Sequence, residues 1–385
     1  MKLLILHNLA TSYYKNILFN SLYGKFKDFK VIHLAETQSN RKWEIDLSYL
    51  CYPYEVLFKG NVDDVPVSKL VKKILKTLKK ESFEIVYLGG YSEIAYWTAL
   101  FYSKIKGKKI IVEMDSNEYN LRKKKFYKEL LKRVFIKMCD YGITYGKLSK
   151  NYLVDLGMPE DRIIIKPNIT DNEFWLKEGK KYRARRDELI LKFGFKEKNF
   201  IYVGRFSKEK NLFFMLKVFA MAKEETGDEK WGLIIVGDGP LREELIKFAK
   251  DKNIKDVFFV PFKQKKELPL YYAVSDVFIL PSLSEPWGIV INEAMASGVI
   301  PLVSERCGAV DLVENGKNGF IFNPLDESEL KEKMITIMKL PYEKLEAIKR
   351  NNLKKIKKFF PSYASDKIIE LLNIIKVEKK IYEVG

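Results

Sequence analysis

The chain has 385 residues, of which 47% are hydrophobic and 14% aromatic, so it can bury large cores and is not expected to be disordered. This length exceeds the size at which a single core usually stops growing, which predicts two domains. A formal charge of +18, from 69 Lys and Arg against 51 Asp and Glu, favours an anionic partner, which could be nucleic acid, a membrane surface or a phosphorylated substrate.

Cysteine content and hydropathy exclude other classes of protein. Cys51, Cys139 and Cys307 stand far apart without a Cys-x-x-Cys pair, so neither a disulfide framework nor a structural zinc site is expected, and a reducing cytoplasm fits. The opening MKLLILHN has a short apolar run, Leu3 to Leu6, which is too short for a signal peptide and predicts a first strand. No run approaches the roughly 18 apolar residues of a transmembrane helix.

Short runs of β-branched and aromatic residues alternate with longer segments of helical period. Several runs, such as GLIIVG and DVFIL, are apolar throughout, which is typical of parallel strands covered on both faces. The predicted strands are, in chain order, Lys2–His7, Lys30–Leu34, Tyr54–Phe58, Glu84–Leu88, Lys109–Glu113, Tyr141–Tyr145, Arg162–Lys166, Asn199–Gly204, Gly232–Gly237, Asp256–Pro261, Asp276–Leu280, Ile300–Ser304 and Gly319–Asn323.

This alternation predicts an α/β fold of doubly wound parallel sheets with right-handed crossovers. The strands are too many for one ordinary sheet, so two domains are expected, 1–175 and 176–358. Turn residues followed by a basic stretch predict the hinge near Asp171–Arg186.

Two segments of the first half predict basic amphipathic helices, at Lys69–Lys80 and Leu121–Met138. Each is expected to pack an apolar stripe on the first sheet. In the second helix this stripe would consist of Phe126, Leu130, Val134 and Met138. The cationic faces could be solvated or could rest on anionic lipid headgroups.

Ligands of open α/β sheets bind beyond the carboxyl ends of the strands, so the strand-to-helix turns are the places to search. In FIYVGRFSKEKNLFFML, Gly204 ends a predicted strand, and Arg205 and Lys210 follow at the entry to a helix. Two cations beside a helix N-terminus can clamp a diphosphate. Taken alone, the pair is also typical of the solvated surface of a Lys-rich protein.

Two further turns contain glycine. Gly237, Gly239 and Pro240 mark a strand-to-helix turn with a structural role. Gly308 and Ala309 open a short helix and are expected to offer bare backbone N–H groups to a phosphate.

The stretch DVFILPSLSEPWGIVINEAMASG contains two carboxylates, Glu285 and Glu293. Glu285 is expected just before a helix that begins near Pro286–Gly288, and Glu293 two turns in, roughly 12 Å further along a regular helix. That distance is comparable to the span from the hexose to the ribose of a nucleotide sugar, and ionised carboxylates accept hydrogen bonds from sugar hydroxyls. Alternatively, Glu285 only caps the helix and Glu293 is solvated or paired with a lysine.

The motifs together resemble the donor-binding domain of the family 4 retaining glycosyltransferases, the group 1 enzymes similar to glycogen synthase. Residues 204–210, 237–240, 281–293 and 316–320 carry the resemblance, with PNITD (167–171) at the domain junction. It implies a GT-B fold of two Rossmann-like domains that face each other across a cleft. The first domain would be on the acceptor side, with a C-terminal helix of about 359–385 returning to it, and the second would bind the donor.

The resemblance also implies roles for individual residues. Arg205 and Lys210 would neutralise the leaving diphosphate, Glu285 would act at the donor sugar, and Glu293 would bind the ribose. The implied donor-binding residues are Gly204, Arg205, Lys210, Gly237, Glu285, Pro286, Trp287, Gly288, Glu293, Gly308 and Ala309. The donor would be UDP- or GDP-linked, with no cofactor and no metal, since two side-chain cations serve the diphosphate.

The first half departs from the family pattern. The loop after the first strand, HNLATSYYKN, has no glycine, and the tip of the middle strand, IIVEMDSNEY, has Glu113 and Asp115 where many members have a histidine. His7, Glu113 and Asp115 are the acceptor-side candidates, although a histidine that ends a strand often has ordinary backbone partners. The segment 40–43, NRKW, could line an acceptor cleft or form a surface loop.

The leading interpretation is a metal-independent retaining glycosyltransferase that uses a glycan, polysaccharide or lipid-linked acceptor. It would be cytoplasmic, with peripheral contact at the inner face of the cell membrane. A nucleotide-sugar 2-epimerase of the same fold is the alternative, disfavoured because the chain has only two histidines. A non-catalytic basic module would explain the charge but not the ordered motifs, and no RNA-binding signature is present, so no nucleic-acid partner is expected.

Overall fold

The computed structural model describes residues 1–39, 45–119 and 126–384. The chain divides into two compact units. Unit 1 contains residues 1–118, 122–169 and 361–385, and unit 2 contains residues 119–121 and 170–360. The main crossing point, at 169–170, lies a few residues before the expected boundary at 175, and the chain re-enters unit 1 close to the expected start of the returning helix.

Unit 1 is built on a parallel sheet. Its strands are β1 (Leu3–Leu9), β2 (Phe29–Thr37), β3 (Tyr54–Asn61), β4 (Ile85–Leu88), β5 (Lys109–Met114), β6 (Tyr141–Thr144) and β7 (Ile163–Ile165). Their spatial order is β3-β2-β1-β4-β5-β6-β7. The order reverses direction between β1 and β4, which is the point where open α/β sheets form a crevice.

Helices cover both faces of this sheet. They are α1 (Tyr13–Lys25), α2 (Val67–Lys80), α3 (Ile94–Ile105), α4 (Phe126–Met138), α5 (Lys147–Asp155) and, after unit 2, α14 (Pro361–Val384). Residues of α2, α3, α4 and α5 belong to the core on one face, and residues of α1 and α14 to the core on the other. The C-terminal helix therefore completes the hydrophobic core of unit 1.

Unit 2 repeats this architecture. Its strands are β8 (Lys198–Val203), β9 (Trp231–Val236), β10 (Val257–Val260), β11 (Val277–Leu280), β12 (Ile300–Ser304) and β13 (Phe320–Phe322), in the parallel order β10-β9-β8-β11-β12-β13. Its helices are α6 (Asn172–Arg183), α7 (Arg186–Phe193), α8 (Leu212–Thr226), α9 (Arg242–Asp251), α10 (Leu268–Ala273), α11 (Ile289–Ala296), α12 (Glu327–Met338) and α13 (Tyr342–Ile356).

Each predicted strand is present in the described residues, with ends shifted by a few positions. The continuous apolar runs have the expected cause, because every residue of β9 and β11 is buried. Side-chain caps fix some helix starts: Asp171 accepts from the Phe174 amide at α6, and Asp326 accepts from the Glu329 amide at α12. Local sequence signals and tertiary burial thus agree over most of the fold.

The predicted contact stripe of the second basic helix is wrong at Leu130 and Val134, although Met138 packs against the core. Leu130 and Val134 of α4 are exposed, Leu130 by 52%, whereas Phe135 and Ile136 are fully buried. Apolar residues occur around more than one face of α4, so their spacing does not determine which of them meet the sheet. The start of the predicted helix, 121–125, lies outside the described residues, as does the segment 40–43. In α2 the prediction holds, because Leu70, Ile74 and Leu78 are buried.

His33 is the most deeply buried histidine of unit 1. It is fully buried in β2, its Nε2 lies 3.2 Å from the hydroxyl of Tyr52, and its ring meets the ring of His7 edge-on at 5.8 Å. Burial lowers the pKa of His33 from 6.5 to about 4. The folded chain therefore holds this imidazole neutral at pH values where the unfolded chain protonates it.

We expect this histidine to make unit 1 acid-sensitive. Because the folded pKa is lowered, the stabilising contribution is complete above pH 6.5 and is lost as the pH falls towards about 4. The loss is on the order of 3 kcal/mol. His33→Gln keeps a polar group near Tyr52 but cannot titrate, so urea unfolding at pH 7 and pH 4.5 should show a smaller decrease for the variant than for wild type. Equal decreases in both would contradict the assignment.

Candidate functional site

The turns that follow β8 and β9 pack backbone against backbone. The Gly204 amide donates to the Val236 carbonyl at 3.1 Å, and the Phe206 amide donates to the Asp238 carbonyl at 2.9 Å. A Cβ atom at Gly237 would lie only 1.9 Å from the Gly204 oxygen, and one at Gly239 would lie 2.5 Å from the Phe206 oxygen. The glycines are therefore required for the close approach of these two turns, and the contact fixes the backbone on either side of Arg205.

Arg205 points its side chain away from this contact. Its carbonyl accepts a hydrogen bond from the Tyr202 hydroxyl, while its guanidinium is exposed and pairs with Glu209 at 3.1 Å. Ser207 also donates to Glu209, at 2.7 Å. Burial raises the pKa of the Glu209 carboxyl, but the hydrogen bonds from Ser207 and Arg205 outweigh this effect and hold the pKa below its ordinary value. Sequence reasoning missed Glu209, because a spacing of four predicts a contact within a helix and Arg205 precedes the helical turn 208–210.

Lys210 ends the short 3-10 helix 208–210 and pairs with Glu285, and both side chains are largely buried. A further hydrogen bond joins the same two turns, because the Leu283 amide donates to the Glu209 carbonyl at 2.9 Å. The structure thus brings Arg205, Lys210 and Glu285 together at the carboxyl edge of the sheet, as expected. It also contradicts the alternative in which Glu285 only caps a helix, since α11 has Gly288 at its N-cap.

The expectation of bare N–H groups at Gly308 and Ala309 is wrong. The Gly308 amide donates to the Glu285 carbonyl at 3.0 Å, and the Ala309 amide donates to the Trp287 carbonyl at 2.9 Å. A Cβ at Gly308 would lie 2.0 Å from the Pro286 oxygen, so the glycine serves close packing. These residues hold the backbone of 285–287 in place rather than offering these amides to a phosphate.

Glu293 lies about one turn into α11, because the helix begins only at Ile289. The estimate of two helical turns between the glutamates was therefore wrong. Glu293 is 4% exposed and accepts a hydrogen bond from the buried Tyr272 hydroxyl at 3.4 Å. Glu293 is therefore not solvated, and the solvated form of the alternative is wrong.

The Pro-Trp-Gly segment has mainly structural contacts. Trp287 is buried, and its indole N–H donates to the Asn292 side chain at 2.9 Å. Gly288 has a φ of 91°, a left-handed conformation that glycine adopts without strain.

The acceptor-side candidates of unit 1 have different environments. His7 is buried, with Nδ1 3.2 Å from the Leu9 carbonyl, and Asp115 is exposed. Burial, and next the charge of Lys15, lower the pKa of His7 well below its ordinary value. The imidazole is therefore neutral near pH 7.

Glu113 is buried and contacts two ammonium groups, pairing with Lys15 and lying 3.1 Å from Lys166. Burial would raise the pKa of Glu113, but Lys15 and Lys166 outweigh it and keep the carboxyl ionised. Burial lowers the pKa of Lys166 to about 8. Sequence reasoning missed both lysines, because they lie far from Glu113 along the chain and only the fold brings them together.

Comparison with known families decides the identity of unit 2. The family model described as glycosyl transferases group 1 matches residues 186–355. Residues 186–355 are a group 1 glycosyl transferase domain.

Among curated proteins, the sulfoquinovosyl transferase SQD2 of Arabidopsis thaliana is 34% identical over 163 residues, and the alpha-monoglucosyldiacylglycerol synthase of Streptococcus pneumoniae is 30% identical over 251 residues. The alignments cover 41% and 58% of this chain, but only 30% and 56% of those relatives.

Solved structures show the GT-B fold over the whole chain. Anabaena Alr3699/HepE in complex with UDP has a TM-score of 0.76 at 19% identity, covering 97% of this chain and 100% of that one. Sucrose-phosphate synthase from Thermosynechococcus elongatus also has a TM-score of 0.76, at 18% identity and full coverage of both chains. At such identities the likeness establishes the fold and leaves the activity to be argued from the site.

The packing of the glycine turns in the group 1 domain gives a direct test. We expect Gly237→Ala to lower the melting temperature by several degrees, because the added methyl displaces the turn that fixes Arg205. Gly24→Ala is the matched control, since a Cβ there meets no atom within 4 Å and alanine favours the helix. Melting curves check both variants. An unchanged melting temperature for Gly237→Ala would contradict the required close approach.

Proposed function

We propose that the protein is a retaining glycosyltransferase of family 4 that uses a UDP-linked sugar and needs no metal ion. The observation that carries this proposal is the cluster of Arg205, Lys210 and Glu285 at the carboxyl edge of unit 2. UDP is proposed because the similar HepE structures were solved with UDP and UDP-glucose.

In this mechanism the hydroxyl oxygen of the acceptor forms a bond to the sugar C1 as the bond between C1 and the diphosphate oxygen breaks. Negative charge develops on the departing diphosphate, which takes up the hydroxyl proton. Arg205 and Lys210 stabilise that charge most strongly as it forms, so they lower the barrier more than they tighten ground-state binding. Both cations are paired with carboxylates in the structure, so the diphosphate competes with Glu209 and Glu285 for them.

Displacement from Lys210 gives Glu285 a second role. Its carboxylate oxygens can then accept hydrogen bonds from hydroxyls of the donor sugar. Glu293, deeper in the domain, accepts from a ribose hydroxyl beside Tyr272. The two glutamates thus bind different parts of one donor, although the chain does not place them on one regular helix.

We propose a glycan, polysaccharide or lipid-linked acceptor, with unit 1 on the acceptor side. The relative named alpha-monoglucosyldiacylglycerol synthase supports a lipid-linked acceptor. Neutral His7 and exposed Asp115 are the acceptor-side groups, and Glu113 acts indirectly by holding Lys15 and Lys166. The enzyme would work in the cytoplasm at an anionic membrane surface, which fits the charge of +18.

The clamp is tested by Arg205→Ala and Lys210→Ala. We expect each to lower turnover on the order of 100-fold. The melting temperature should change little for exposed Arg205 and should fall for Lys210, because its removal takes the ion pair from the largely buried Glu285. The double variant should lose less than the product of the single effects, because both cations serve one diphosphate. Steady-state kinetics with a donor and acceptor found by panel screening check this.

Lys217→Ala is the matched control, since Lys217 forms an exposed pair with Glu327 elsewhere in unit 2. Turnover within twofold of wild type in both clamp variants, with folding intact, would remove the clamp from the mechanism. Incubation with donor alone separates the epimerase alternative, since an epimerase changes the donor without an acceptor.

The ribose role of Glu293 is tested by Glu293→Gln. We expect UDP affinity to fall by about 1.5–3 kcal/mol, because a charged acceptor becomes a neutral one. Exposed Glu225→Gln is the control. Near-identical UDP affinity of the Glu293 variant and wild type, measured by calorimetry, would contradict the assignment.

A further inference from the structure

The outward side of α3 is apolar where a surface helix is normally polar. Ile94, Phe101 and Ile105 lie on one helical face, and Phe101 and Ile105 are 48% and 82% exposed. The opposite face supplies Ala95, Tyr96, Ala99 and Leu100 to the core. This helix therefore presents hydrophobic residues on both sides.

The neighbouring helix α4 also has an exposed apolar side. Tyr127, Leu130, Leu131 and Val134 are all exposed, by 43% to 53%. Trp97 of α3 joins the two helices, because its ring lies 5.9 Å from that of Phe101 and 4.9 Å from that of Phe135. We call the surface formed by Phe101, Ile105, Tyr127, Leu130, Leu131 and Val134 the α3–α4 face.

Cations border the α3–α4 face. Lys104 and Lys106 are exposed at the end of α3, and Lys128, Arg133 and Lys137 are exposed along α4. Among the acidic residues of these two helices and their ends, Glu129 pairs with Lys132, and Asp140 lies within 3.6 Å of both Lys104 and Lys109. Glu93, at the start of α3, is partly buried.

The lysine-rich helix α2 packs beside α3 and adds Lys69, Lys72, Lys76 and Lys79 to the same helical layer. Several helices of this layer therefore supply the apolar residues and the cations around them.

We infer that the α3–α4 face docks on the headgroup region of an anionic lipid bilayer. Its apolar side chains would enter the acyl boundary and its cations would contact the headgroups. Large exposed apolar residues concentrated on two packed helices mark an interaction site. Charge favours a bilayer over a second copy of this chain as the partner of the α3–α4 face. Two copies of a chain with a charge of +18 would bring two cationic borders together, whereas an anionic bilayer complements the cations. Among the described residues, no helix is long and apolar enough to span the bilayer.

This inference supports the proposed lipid-linked acceptor but does not depend on catalysis. Binding to vesicles is therefore measured without donor or acceptor, by co-sedimentation with phosphatidylglycerol or phosphatidylcholine vesicles. We expect wild type to bind phosphatidylglycerol at least tenfold more tightly than phosphatidylcholine, with binding weakened by salt.

The test variant is Phe101→Ser, Leu130→Ser, Leu131→Ser, which removes exposed apolar side chains and should leave the core intact. We expect its vesicle affinity to fall at least tenfold. The matched control is Leu191→Ser, Leu325→Ser, Val377→Ser, at positions with at least equal exposure away from this face. It should bind within twofold of wild type. Lys106→Glu with Lys128→Glu should also reduce binding to phosphatidylglycerol.

Several outcomes would overturn the inference. One is that wild type does not bind vesicles. Another is that the test and control variants lose the same amount of vesicle affinity. A third is that light scattering shows a wild-type dimer, which the test variant abolishes, while neither protein binds lipid. Titration of the same proteins with UDP distinguishes the proposed function from the proposed docking surface. Vesicle binding without UDP binding would contradict only the proposed function, and UDP binding without vesicle binding would contradict only the docking surface.

Discussion

The candidate site depends on one close approach of backbone to backbone, between the turn after β8 and the turn after β9. Gly237 and Gly239 permit it, because any side chain there would overlap the carbonyls of Gly204 and Phe206. The turn after β11 then joins the turn after β8 through the amide of Leu283. Three turns from three strands are thereby held as one rigid edge, and Arg205, Lys210 and Glu285 are presented from it. Such preorganisation is what electrostatic stabilisation of a transition state requires.

Charge balance is the second constraint on the site. Arg205 pairs with Glu209 and Lys210 pairs with Glu285, so the edge carries no net charge from these four groups. A bound diphosphate would take over both cations and release two carboxylates. In the proposed mechanism, the strength of Glu209 as an acceptor sets how easily Arg205 exchanges partners. Glu285 would become able to accept hydrogen bonds from sugar hydroxyls once Lys210 binds the phosphate.

The sequence predicts regular structure well here because local and global signals agree. Most of the predicted strands lie where apolar runs are buried on both faces, whereas the edge strands β3 and β10 are only partly buried. The glycine and cation motifs lie at the turns expected from the strand order. The contacts that the sequence could not predict join residues that lie far apart along the chain. The contacts of Lys15 and Lys166 with Glu113, and the use of the Gly308 and Ala309 amides by 285–287, depend on chain segments that only the fold brings together. The face that α4 turns to the sheet was also unpredictable, since its apolar residues exceed what one face can bury.

The central claim is that this edge of unit 2 recognises a diphosphate with two side-chain cations. The most direct measurement compares calorimetric affinities of UMP and UDP for wild type and for Arg205→Ala, Lys210→Ala. If the claim holds, wild type prefers UDP to UMP by at least tenfold, and the double variant loses most of that preference while keeping its affinity for UMP within a few-fold. An equal preference for UDP in both proteins would show that other groups bind the second phosphate and would contradict the claim.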